Sequence, residues 1–110
     1  IQLPNIAEFV NLYFAASMIG AAVSPVAVQY RSHELEGMMQ LVKPRAFICG
    51  TRCKGSDHVG TARALLHGDC RLMTFGPDTP EDALDLANAA GNPEALAAHR
   101  AAHRVNADET

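Results

Sequence analysis

Large aromatic side chains are scarce in this 110-residue chain, which has no tryptophan, two tyrosines and four phenylalanines. Packing therefore falls to aliphatic residues and to 19 alanines, which favour close approach between neighbouring elements. A basic excess is also missing, because nine Lys and Arg stand against twelve Asp and Glu for a net charge of -3. That balance excludes a broad cationic field for phosphate backbones, so no nucleic-acid partner is expected. The apolar stretches are interrupted by Asn11, Gln29 and Arg31, short of the roughly 20 residues that a membrane span needs. No targeting peptide is readable ahead of Ile1. The three cysteines, Cys49, Cys53 and Cys70, are odd in number and not spaced as a disulfide framework, which points to a reducing, cytoplasmic setting.

What is present alternates between helical and extended patterns. Ile1-Gln2-Leu3 reads as the end of a strand that begins upstream, and Pro4-Asn5 as a stop followed by a cap, with Asn5 and Glu8 forming an Asx version of the capping box. The helix expected from Ile6 is apolar nearly all round, which predicts burial on more than one side. Gly20 ends it, and residues 21–26 read as a short strand closed by Pro25. Ser32 caps a second helix through Val42, with Lys43 in its last turn and Pro44 as its stop, and a strand over Arg45–Cys49 follows. Asp57 caps a third helix through about His67, and Arg71–Phe75 is a further strand. Thr79-Pro80-Glu81-Asp82 predicts another helix start ahead of Ala83, Leu84, Leu86 and Ala87. Gly91 breaks that helix, and Asn92-Pro93 caps an alanine-rich terminal helix over residues 93–104. Such alternation predicts an α/β fold with a mainly parallel sheet and helices on both faces.

Motifs that carry chemistry are incomplete. Gly50-Thr51-Arg52-Cys53-Lys54-Gly55-Ser56 spaces two glycines as a phosphate loop does, but Lys54 precedes the second glycine and cannot reach terminal phosphates from the cradle, so a solvated loop is expected. No Gly-x-Gly-x-x-Gly follows a strand, which excludes the dinucleotide fingerprint. Cys49 and Cys53 supply only half of a zinc pattern; Cys49 reads as core, and Cys53, flanked by Arg52 and Lys54, lacks a placed base. His99 and His103 share a helical face, yet Arg100 stands where a zincin requires glutamate, so an exposed basic face with Arg100 and Arg104 is expected. Asp78, Glu81, Asp82 and Asp85 cluster after the last strand, where a helix dipole explains Glu81 and Asp82. Ala97–Arg100 and Ala101–Arg104 form a local tandem, read as helix filler.

One further pattern is specific. Leu3-Pro4-Asn5-Ile6-Ala7-Glu8-Phe9, Tyr13-Phe14-Ala15-Ala16, Gly20-Ala21-Ala22-Val23-Ser24-Pro25-Val26, Tyr30-Arg31, Glu34-Leu35 and Lys43-Pro44-Arg45-Ala46 occur in an order and spacing that resemble the amino-terminal region of adenylate-forming acyl-CoA synthetases. The resemblance is strongest over residues 1–49 and diffuse from 50 to 104, while Asn106–Thr110 resembles the lead-in to the family's phosphate-loop strand. It implies that residues 1–110 are a single incomplete α/β domain of a larger fatty acyl or other carboxylate–CoA ligase. Such an enzyme forms an acyl-adenylate and then an acyl-CoA, using ATP, Mg and coenzyme A. The matching residues have architectural roles in that family: Leu3 closes a core strand, Pro4 and Asn5 turn into the helix, and Gly20 returns the chain to the sheet. No catalytic, cofactor-binding or metal residue is carried onto this segment, which is expected to be inactive alone. The implied partner is the remainder of its own chain, with self-association through exposed sheet edges if that remainder is absent. The alternative is a stand-alone α/β binding or interaction module.

Overall fold

A computed structural model describes residues 1–53 and 55–104. The backbone gathers into two compact units, one formed by Ile1–Asn5 and Pro25–Ala89, the other by Ile6–Ser24 and the segment from Ala90 onward. The first contains helix α2 (Ser32–Val42), strand β1 (Ala46–Gly50), helix α3 (His58–Leu65) and strands β2 (Arg71–Phe75) and β3 (Leu84–Asp85). The second contains helices α1 (Ala7–Met18) and α4 (Pro93–Ala102). The expected α/β class is observed, with an all-parallel sheet in the order β1-β2-β3.

Register follows from the alternation of burial along the strands. Phe47 pairs with Leu72 and Cys49 with Thr74, and these four side chains form the buried face of the sheet. Leu35 of α2 and Val59 and Ala62 of α3 complete that core with Phe47, Cys49 and Leu72. Ile48, Met73 and Phe75, which alternate with the core residues, are half-buried. Ala62 is fully buried, and its small side chain lets α3 lie close to the strands.

Local chemistry sets most boundaries. The αL conformation of Lys43 (φ 47) and the following Pro44 end α2. Asp57 caps α3 as expected, its carboxylate accepting the Gly60 N–H at 2.8 Å, and Asn92 caps α4 through the Ala95 N–H at 3.0 Å. A Cβ at position 60 would collide with the Asp57 carboxylate, so a larger residue there would have to displace the cap. α3 ends at Leu65, two residues before the expected His67.

Five expectations are corrected. Ile6 rather than Asn5 is the N-cap of α1, in extended conformation and without a side-chain cap bond, so the Asn5–Glu8 capping box does not form. At α2 the N-cap is Arg31, not Ser32, and Glu34 accepts the Arg31 N–H at 2.9 Å. Residues 21–26 form no strand; Val26 N–H donates to the Ile1 carbonyl at 2.9 Å just after Pro25, which has no N–H to give. The helix expected after Thr79 is replaced by β3, because the Leu86 N–H reaches the Thr74 carbonyl at 3.0 Å and Asp85 accepts from Ala87 N–H and the Asn88 amide. Sheet pairing and an Asx turn thus outcompete the helical signals. Finally, α1 buries none of its residues, and Val10, Tyr13, Phe14 and Met18 are all exposed.

Candidate functional site

Parallel strands direct their carboxyl ends to one edge, and the loops after β1 and β2 meet there. Thr51 N–H donates to the Phe75 carbonyl at 3.0 Å, extending the pairing one residue past β1. Gly76 follows with φ 128, and a Cβ at that position would run into the Thr51 hydroxyl. Thr51 Oγ1 is buried without a hydrogen-bond partner among the described residues, whereas Thr74 and Thr79 pair their hydroxyls at 3.0 Å. Arg52 spans the two loops to Asp78 at 2.8 Å, a largely exposed pair.

Beside this edge lies a buried polar hub that no motif announces. Gln2 is 1% exposed and belongs to the amino-terminal segment that bridges Cys49 of β1 in parallel. Its amide nitrogen donates to the carbonyls of Ala27 and Tyr30, both at 3.1 Å, so its Oε1 is left facing His58 Nδ1 at 3.2 Å. An amide oxygen only accepts, which assigns the proton of neutral His58 to Nδ1. His58 Nε2 is buried without a partner among the described residues. Burial, and after it the positive charge of Arg31, hold His58 below its ordinary imidazole value, against the opposing pull of Asp57 and the Cys53 carbonyl. Arg31 in turn donates to Ser56 Oγ and to the Val28 carbonyl, both at 2.7 Å. One glutamine and one arginine therefore tie the amino-terminal segment, the 27–31 loop and the start of α3 together.

The residues singled out from sequence do not converge on this edge as a reactive set. Cys49 is fully buried, and burial with the nearby Asp57 charge pushes its thiol up to about 11, which suits a core residue and not a nucleophile. Cys53 is also buried, and Cys70 lies at the opposite end of the sheet. Asp82 does not start a helix; it pairs with Arg63 of α3, which holds its carboxyl below the usual range. His99 and His103 stack at 4.4 Å, but each has one nitrogen committed to a carbonyl: His99 Nε2 to Ile19 at 2.9 Å and His103 Nδ1 to His99 at 3.1 Å. Arg100 and Arg104 are exposed as expected. Lys54 and the 106–110 resemblance lie outside the described residues.

Ser56 Oγ is engaged by Arg31 and the Asp57 carboxylate by its own helix, whereas Thr51 Oγ1 is a buried hydroxyl without a partner among the described residues. Arg31, Ser56 and Asp57 therefore act as a brace between loops.

A family model described as AMP-binding enzyme matches residues 1–109. The chain belongs to the AMP-binding enzyme family. No curated protein and no solved structure gives a significant match. The match covers the segment in which the resemblance is read from Leu3-Pro4-Asn5 onward. Sequence reasoning missed Gln2 and His58 because the single glutamine in an apolar triplet and the histidine after a capping aspartate match no motif. The one available signal was a polar residue inside a strand-like run, and it gave no indication of its partner.

Proposed function

We propose that this segment is scaffold within an adenylate-forming carboxylate–CoA ligase. In this reading the whole enzyme activates a carboxylate with ATP and Mg and transfers the acyl group to coenzyme A, with groups supplied outside the residues described here. The observation that carries the reading is the family match over residues 1–109, joined to an edge where Gln2, Arg31, Ser56 and Asp57 are held by contacts within the segment. The contribution of this segment is mechanical: the Gln2, Arg31 and His58 hub fixes the loops that border the sheet, so that neighbouring catalytic elements meet a rigid wall. Membership also supports ligase chemistry as the class of reaction, and three unpaired cysteines support a reducing, cytoplasmic location. Among the described residues no helix is long and apolar enough to cross a membrane.

The decisive experiment is carboxylate-dependent exchange of pyrophosphate into ATP by the intact protein, across a panel of aliphatic and aromatic acids, followed by CoA thioester formation. Exchange that depends on the added carboxylate supports the reading. Its absence across the panel, with protein shown to be folded, overturns it. Residues 1–110 alone are expected to give no exchange above a protein-free control. Exchange by that segment would contradict its role as scaffold.

A further inference from the structure

At the end of the sheet opposite the braced loops, a groove of about 520 Å³ opens between the carboxyl ends of α2 and α3. We propose that it binds an amphiphilic organic anion, with the apolar tail on Met39, Leu65, Leu66 and Cys70 and the anionic head at Lys43 and Arg45.

The wall is predominantly apolar. Met39, Leu65, Leu66 and Cys70 pack one side against the core cluster and remain only partly buried, so a tail can cover their outer sides without disturbing the core. The rim carries the opposite chemistry. Lys43 and Arg45 are exposed, and neither makes an ion pair among the described residues, whereas Arg52 and Arg63 are each matched to an aspartate. In a chain of net charge -3, two uncommitted cations flanking Pro44 give a local excess of positive charge. Asp69 is the one carboxylate on the lining and offsets only part of it. Lys43 is held in the αL conformation with Pro44 behind it, and the Arg45 carbonyl accepts from Arg71 N–H at 3.0 Å, so the backbone that presents both cations is fixed. The volume falls within the roughly 300–1,000 Å³ of small-molecule sites.

Cys70 provides a local reporter that does not depend on ligase turnover. The intact protein, without ATP, is treated with N-ethylmaleimide, and labelling of Cys49, Cys53 and Cys70 is followed peptide by peptide by mass spectrometry. Decanoate is expected to slow labelling of Cys70 saturably while Cys49 stays unlabelled. Decyltrimethylammonium, with the same tail and the opposite charge, should protect about tenfold less well, and the double variant Lys43→Glu, Arg45→Glu should raise the half-saturating decanoate concentration about tenfold or more. Absence of saturable protection overturns the proposal. So does equal protection by the cationic amphiphile, or an unchanged decanoate response in the charge-reversed variant with Cys49 still shielded. Because no adenylation is read, this outcome is independent of the carboxylate–CoA ligase assignment.

Discussion

Acidification tests the hub at the start of α3. His58 is 3% exposed, donates from Nδ1 to Gln2, and presents a buried Nε2 with no partner among the described residues. A second proton must enter at Nε2, opposed by burial and by the charge of Arg31 and favoured by Asp57 and the Cys53 carbonyl. Burial prevails, so the folded-state value lies below the unfolded one. The stabilisation from keeping His58 neutral is therefore complete above the unfolded value of about 6.5 and declines as pH falls below it, by up to about 1.4 kcal/mol per pH unit until the folded value is passed. Urea unfolding at pH 7.5, 6.5 and 5.5 measures this loss. The control is His58→Asn, whose amide nitrogen replaces Nδ1 and keeps the bond to Gln2 Oε1 but has no titrating site. The wild type should lose stability more steeply than the variant below pH 6.5, and their difference isolates His58 from the exposed histidines. Identical slopes for the two proteins would refute the argument.

Three other outcomes follow from named contacts. Asp57→Ala removes the cap of α3 and is expected to cost about 1 kcal/mol in unfolding free energy, whereas Asp57→Asn or Asp57→Ser should retain most of it; a loss shared equally by all three would mean that the side chain acts through its charge and not as a cap. Gly76→Ala forces a Cβ against Thr51 at φ 128 and should cost about 1–3 kcal/mol, while Gly91→Ala, with nothing within 4 Å, should leave the melting temperature nearly unchanged. Equal effects at the two glycines would contradict the close approach of the loops after β1 and β2. With its thiol pushed up to about 11 and no exposed surface, Cys49 should react with maleimide at pH 8 only after unfolding, well behind half-buried Cys70.

The parts of the fold legible in sequence are those governed by local patterns. Arg71–Phe75 was readable as a strand because a β-rich run is bounded by Cys70 and the Gly76-Pro77-Asp78 turn, and α3 and α4 because Asp57 and Asn92 cap within three residues of themselves. Where a distant partner decides the conformation, the same rules fail. Thr79-Pro80-Glu81-Asp82 carries every helix-start signal, but the Thr74 carbonyl captures Leu86 N–H and Arg63 captures Asp82, so no helix starts and Leu84–Asp85 pairs as an edge strand beside β2. The apolar circumference of α1 predicted burial, yet Phe14 is 63% exposed and Met18 55%. Periodicity reports which side chains avoid water and says nothing of what covers them. The hub is the limiting case. Gln2 and His58 are 56 residues apart, and each takes its meaning from the other: the amide is oriented by two carbonyls of the 27–31 loop, and that orientation alone fixes the imidazole proton. No local propensity encodes such a pair. The residues that brace this AMP-binding family segment were thus the least legible in its sequence, because buried polar groups are specified by one another across the fold.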